Sequence, residues 1–337
     1  MLHGHGDDSY RYSRTITADF STNVWYGGEP KGLKEYLFSQ WATINRYPEV
    51  LAESLANQVA EHHRVTPEQV LINSGTTESI YLIAQAFAGQ TTTIVAPAFA
   101  EYEDACRMFQ HRLTFLDWNT LSDLPALTSD LVFICTPNNP TGAIFGQLTD
   151  WMGKNPQTLF VIDEAFIEFT RELDTAIGLL DQFDNLLVMR SLTKAYAIPG
   201  LRLGYVASKP ERIDQLKACK QPWTVNAMAL AAGRFIFEQF EQCQLPLDQL
   251  LADKAHFVQQ LRQNDQLQVF DSDTHFFLAE TNKGTAAQLK AFLLEKYGLL
   301  IRDASNFRGL GAGHFRVCTL SPDKNALLIN ALSEWEN

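Results

Sequence analysis

The sequence predicts an α/β fold: a large domain with a mainly parallel sheet flanked by helices, plus a smaller α+β domain. Three observations lead there. Between residues 70 and 208 short apolar runs recur: QVLINSG, TTTIVAP, LTFLDW, DLVFICTP, TLFVIDEAF, LLVMRS and LRLGYVAS. Several are near-continuous in apolar residues rather than alternating, the pattern of strands buried on both faces. Helix-like stretches at 78–88 and 101–109 lie between some of them, and alternation of this kind argues for a parallel sheet.

After about residue 221 the texture changes. Residues 227–242 and 246–263 read as long amphipathic helices. A strand at 275–280, a helix at 285–297, strands at 299–302 and 314–320 and a last helix at 323–335 complete an α+β pattern. Residues 1–30 are too short to fold alone, so they are expected beside this second lobe. The expected division is 31–220 for the large domain, with 1–30 and 221–337 forming the small one. A chain of 337 residues is long enough for both cores.

Composition narrows the partners. The formal net charge of -12 argues against nucleic acid or an anionic membrane surface. The five cysteines, Cys106, Cys135, Cys219, Cys243 and Cys318, show no metal spacing, so no metal is expected. Scattered thiols fit a reducing compartment. The start, MLHGHGDDSYRY, lacks the apolar stretch of a signal peptide, and no run reaches the roughly 18 residues of a membrane span. A cytoplasmic protein is therefore expected.

Chemistry-bearing residues cluster at the ends of the apolar runs. In open α/β sheets ligands bind beyond the carboxyl ends of the strands. One run ends in Ser74-Gly75-Thr76, another in Asn138-Asn139-Pro140, a third in Asp163-Glu164, a fourth in Ser191, Thr193 and Lys194. Glycine and small hydroxyls at a helix start can hold a phosphate, because unpaired backbone N–H groups point outward there. Each feature alone has a plainer reading: a helix cap for Ser74 or Thr76, a turn for NNPTG, a surface lysine for Lys194. Their joint occurrence supports a site. No GxGxxG follows the first strand and NSGTTE lacks a P-loop lysine, which disfavours a nucleotide-binding module.

NSGTTE, TPNNPTG, VIDEAF, SLTKAYAIPGLRLGY and the late HFRV, in this order, resemble the fold-type I pyridoxal-phosphate enzymes of aminotransferase class I/II. The resemblance implies pyridoxal 5'-phosphate as cofactor and a role for each residue. Lys194 would bond to the cofactor aldehyde and later shuttle a proton. Asp163 would keep the pyridine nitrogen protonated. Asn139 would donate to the ring's phenolic oxygen. Gly75, Thr76, Ser191 and Arg202 would hold the phosphate. Phe99 or Tyr102 would stack on the ring. Tyr47, in NRYPE, resembles the tyrosine that reaches the phosphate from a neighbouring subunit, which implies a homodimer with shared active sites. Arg316 would clamp a substrate carboxylate as a two-pronged donor. One departure stands out. Many members carry tyrosine three residues after the aspartate; here Phe166 removes that donor.

Two branches of the family compete: threonine-phosphate decarboxylases and histidinol-phosphate aminotransferases. HGHGD, DFSTN, APAFAEYEDA, DEAF and LLIRDASNFRGL lie closer to the first, whereas CTLSPDK after Arg316 departs from it. The resemblance therefore implies decarboxylation of L-threonine O-3-phosphate, with transamination of histidinol phosphate or a related amino compound by 2-oxoglutarate as the alternative. Arg302, Arg308 and His3 or His5 would receive a distal phosphate, and Asn23 would orient the carboxylate. The plain alternatives are ion pairs for the arginines, with Asp303 for example, a frayed terminus for the histidines and a turn for Asn23.

Overall fold

The computed structural model describes residues 8–335. Strand β1 (Ala18–Asp19) and helices α1 (Leu33–Ser39) and α2 (Glu53–His63) lead into β2 (Val70–Asn73). There follow α3 (Gly75–Ala86), β3 (Thr91–Ala96), α4 (Ala100–Met108), β4 (Arg112–Asp117), β5 (Leu131–Cys135), α5 (Leu148–Lys154) and β6 (Leu159–Asp163). Then come β7 (Leu186–Ser191), β8 (Gly204–Ser208) and α6 (Pro210–Lys217). Strands β2 to β8 form one seven-stranded sheet in the order β2-β8-β7-β6-β5-β3-β4. Its pairs are parallel except the two that β8 makes with β2 and β7.

The central strands LVFIC, LFVID and LLVMRS are buried at every position, as their continuous apolar runs predict. Each large side chain removed from water there is worth about 1.5–3 kcal/mol. Strand β4 is the exposed edge, and its charged ends Arg112 and Asp117 suit an edge. The reversal of β8 has a functional consequence. Residues 192–203 leave the carboxyl end of β7 and re-enter at the adjacent start of β8, so the whole loop stays at the ligand-binding end of the sheet. Register then sets Gly204 beside Asn73, the last residue before the turn into α3. A side chain on Gly204 would come within 3.2 Å of the Thr76 backbone nitrogen, so glycine lets loop and helix start approach.

Beyond α7 (Ala227–Glu238) and α8 (Leu247–Leu261) lie β9 (Leu267–Val269), β10 (Phe276–Thr281), α9 (Ala286–Tyr297), β11 (Leu299–Leu300), β12 (Arg302–Asp303), β13 (His314–Cys318) and α10 (Pro322–Ser333). The single strand expected at 299–302 is thus two short ones: β11 pairs with β1 and β12 with β13. The second sheet runs β12-β13-β10-β9 and is antiparallel. Helix α9 starts in a capping box, Thr285 with Gln288, and stops at Gly298 in the left-handed region.

Two apolar clusters account for the two lobes. Phe20 joins the second cluster with Phe277, Leu293 and Val317. Helix α7 packs Ala229, Leu230, Phe235 and Ile236 into the first cluster, although it lies past residue 221. Its apolar face matches α1 and α2 rather than the second sheet. We propose that the lobes divide within α8, which buries Leu250 in the first cluster and Phe257 and Leu261 in the second. Among the described residues no helix is long and apolar enough to cross a membrane.

Candidate active site

A cavity of about 590 Å³ opens between the carboxyl ends of the large sheet and the second sheet. Most of the sequence-derived candidates line it: Thr76, Phe99, Tyr102, Asn139, Asp163, Lys194 and Arg202 from the large lobe, Asn23 from the N-terminal segment, and Arg302, Arg308 and Arg316 from the small lobe. The size falls within the range of small-molecule sites.

Asp163 ends β6 and is only 4% exposed. The Tyr102 hydroxyl donates to its Oδ2 at 2.6 Å, and the Ala165 backbone N–H donates to its Oδ1 at 2.9 Å. Burial pushes its pKa up; these two hydrogen bonds and the positive charge of Lys194 pull the other way. The Tyr102 ring is buried and stacks on Phe133 at 5.2 Å. Of the two stacking candidates, Tyr102 lines the cavity with its hydroxyl on Asp163 and one ring face against Phe133. Phe99, at the start of α4, lines the cavity as well. Phe166 also lines it, edge-on to Phe276 at 4.8 Å.

Lys194 follows β7 in the 192–203 loop, and its carbonyl accepts from the Trp25 N–H at 3.0 Å. Ser191 is buried, with its hydroxyl 2.7 Å from that of Thr193. Thr193 reaches the cavity wall, and Ser191 touches it only through the Thr193 hydroxyl. Gly75 opens α3 with φ +77, and a Cβ there would meet Arg202 Nη2 at 2.5 Å. Only glycine suits that backbone and that approach. Backbone amides at a helix start and a guanidinium thus converge on one place.

The small-lobe side is cationic. Arg302 and Arg316 are register partners on β12 and β13 and are 6% and 5% exposed. Like charges set opposite each other across strands repel. Arg316 donates to Asn139 Oδ1 at 2.5 Å and to the Ser21 carbonyl at 2.6 Å, while its buried Nε has no partner. Burial, and next the charge of Arg302, hold the Arg316 pKa down to about 9. Arg302 donates to the Asp303 backbone carbonyl and to Asn306 Oδ1. Asn23 is 2% exposed and neither side-chain atom has a hydrogen-bond partner.

Arg308 is half-exposed at the mouth. It pairs with Glu103 of α4 at 2.9 Å and lies 3.7 Å over the Phe115 ring. Its partner is therefore across the lobes rather than the nearby Asp303. Tyr47 is 84% exposed, stacks near Trp223 and stands outside this subunit's own cavity. His3 and His5 lie outside the described residues. Sequence reasoning noted Thr193 at the strand end without giving it a phosphate role, and it missed the Tyr102–Asp163 bond, Glu103 and the buried His275.

The arrangement fits pyridoxal phosphate. A buried carboxylate, a lysine whose charge reaches it, an aromatic wall and an anion cradle at a helix start are the donor set that this cofactor needs, and the glycine cradle is one that a Cβ would fill.

The comparisons agree. The sequence pattern of aminotransferase class I and II matches residues 19–332. The chain is 33% identical to the threonine-phosphate decarboxylase of Salmonella typhimurium, over 93% of this chain and 90% of that protein. It is 30% identical to a histidinol-phosphate aminotransferase of Caldanaerobacter subterraneus, over 86% and 84%. The crystal structure of L-threonine-O-3-phosphate decarboxylase from Porphyromonas gingivalis superposes with a TM-score of 0.91 at 37% identity, covering 94% of this chain and 98% of that one. The chain belongs to the aminotransferase class I and II family, whose members are pyridoxal-phosphate enzymes.

Proposed function

We propose that this enzyme decarboxylates L-threonine O-3-phosphate. The observation that carries the reading is the side-by-side burial of Arg302 and Arg316 with no carboxylate hydrogen-bonded to either among the described residues. Two buried guanidiniums in register are a receptor for two anions on one small molecule. An amino acid bearing a phosphate ester presents that pair. The likeness to two threonine-phosphate decarboxylases supports it.

In this reading Arg316, with Asn139 and Asn23, binds the carboxylate. Arg302 receives the phosphate, and Arg308 joins it from the rim. When bound, the cofactor supplies a protonated ring that accepts the electron pair left as a bond to the α-carbon breaks. Asp163 holds the proton on the ring nitrogen. Gly75, Thr76, Thr193 and Arg202 grip the cofactor phosphate, and Phe99 covers the ring. With the cofactor bound, Lys194 as its ammonium would be the proton donor to the α-carbon. Phe166 offers no hydrogen bond where a tyrosine would, so Asn139 is the side-chain donor to the phenolic oxygen.

The exposed Phe38, Trp41, Ile44, Tyr47 and Trp223 support a homodimer in which Tyr47 reaches the other subunit's site. A species sedimenting at the mass of one chain would overturn that. The five unpaired cysteines, four of them buried, support a cytoplasmic location. The test of activity is direct. Incubation with L-threonine O-3-phosphate should release carbon dioxide and leave the amino-alcohol phosphate. Glutamate formed from histidinol phosphate and 2-oxoglutarate, without carbon dioxide from threonine phosphate, would move the enzyme to the other branch.

A further inference from the structure

An ion pair whose lysine is buried ends on the start of α3. Lys220 follows α6, and its side chain is 1% exposed. Its ammonium donates to Glu78 Oε1 at 2.7 Å, to Thr224 Oγ1 at 2.7 Å and to Asn73 Oδ1 at 3.0 Å. Glu78 lies in the first turn of α3, and its Oε2 accepts the Ser74 backbone N–H at 2.5 Å. The Thr224 hydroxyl donates to the same oxygen at 3.1 Å. Asn73, which ends β2, donates from Nδ2 to Ser79 Oγ at 2.9 Å. One lysine thereby joins the last residue of β2, the turn at 74–76 and the first turn of α3.

The charge arrangement needs an explanation. Glutamate in a first turn favours the helix by itself, but it is a second anion beside a place where a phosphate is to bind. Left alone, it would repel that phosphate through a poorly screening interior. With Lys220 against it, the carboxylate can fix the Ser74 amide and carry little net field toward the next amides.

We infer that Lys220 is a positioning residue for the cofactor phosphate: it neutralises Glu78 and locks the 74–76 turn so that the amides of Gly75 and Thr76 face the anion. The inference rests on reading 74–76 as the phosphate cradle.

The test compares pyridoxal phosphate with pyridoxal, which has the aldehyde and ring but no phosphate. Full-length enzyme is freed of cofactor by dialysis and titrated with each by absorbance. Wild type should prefer the phosphate form. In K220M that preference should fall by about tenfold, with pyridoxal affinity unchanged. K220R should retain it. The double variant E78Q/K220M removes both charges, which a buried pair usually tolerates, and should recover most of the preference. An unchanged ratio in K220M overturns the inference, as does a double variant no better than K220M. If K220M does not fold, the double variant and K220R carry the test: a large loss of preference in either overturns it. Wild type that does not distinguish the two ligands would instead refute the cradle at 74–76.

Discussion

Asp163 and Asn23 line the same cavity and are almost equally inaccessible, at 4% and 2%, yet their surroundings differ. Around Asp163 each carboxylate oxygen has a donor from the protein, Tyr102 on one side and the Ala165 amide on the other. Around Asn23, both of its side-chain atoms and the Nε of Arg316 are buried without a hydrogen-bond partner. Buried polar groups are ordinarily paired, and an orphaned one is destabilising by about 1–3 kcal/mol. The first region is finished before any ligand arrives. The second has a set of donors and acceptors that a ligand completes. A resident cofactor calls for the former and a transient substrate for the latter.

Removing Arg316 attacks the receptive region and has the largest expected effect. R316M should lower kcat/KM for the phosphorylated amino acid by about 100-fold or more, mostly through KM, because a substrate carboxylate would be buried unpaired. Equal kinetics in the variant would move the carboxylate site elsewhere. Y102F attacks the finished region. It deletes one donor of two, so cofactor should bind roughly tenfold more weakly, as judged by loss on dialysis. With one opposing hydrogen bond gone, the Asp163 pKa should rise further. A holoenzyme that keeps its cofactor as firmly as wild type would show that Tyr102 only fills space.

The third prediction concerns His275, which stacks on Phe169 at 3.7 Å between ring centres. Burial holds its pKa down to about 3, from an ordinary 6.5. The unfolded chain takes up this proton below 6.5 while the folded chain refuses it until about 3. Its contribution to stability is therefore full above 6.5 and drains as pH falls toward 3. H275F should reduce the slope of unfolding free energy between pH 6 and pH 4 by about 1.4 kcal/mol per pH unit, read from urea melts. His63, also held down to about 3, keeps part of the slope in place. Identical slopes in both proteins would mean that the ring is hydrated.

Much of this was legible in the sequence for definite reasons. Strands β5, β6 and β7 are apolar at consecutive positions because both faces are covered, and that pattern is local. Their carboxyl ends carry the polar exceptions, Asn139, Asp163 and Lys194. Helix α2 gave little signal, since its N-cap is Ala52 in the left-handed region with no side-chain cap. Helix α5 has only seven residues, of which Leu148, Trp151 and Met152 are buried. The site contacts that escaped are long-range. Tyr102 meets Asp163 across 61 positions, and Lys220 meets Glu78 across 142. No periodicity records such meetings. Ser191 was singled out for its hydroxyl, but only the folded loop shows that Thr193 stands in front of it.

Helix α8 is gripped at its first turns by one core and at its last by the other. A rod held in this way makes the halves mechanically dependent. Expressed separately, either half would display a greasy stripe and clump, and denaturant should dismantle both in a single cooperative transition. Any rocking that widens the mouth must tilt this rod or bend it, so breathing of the entrance is coupled to α8.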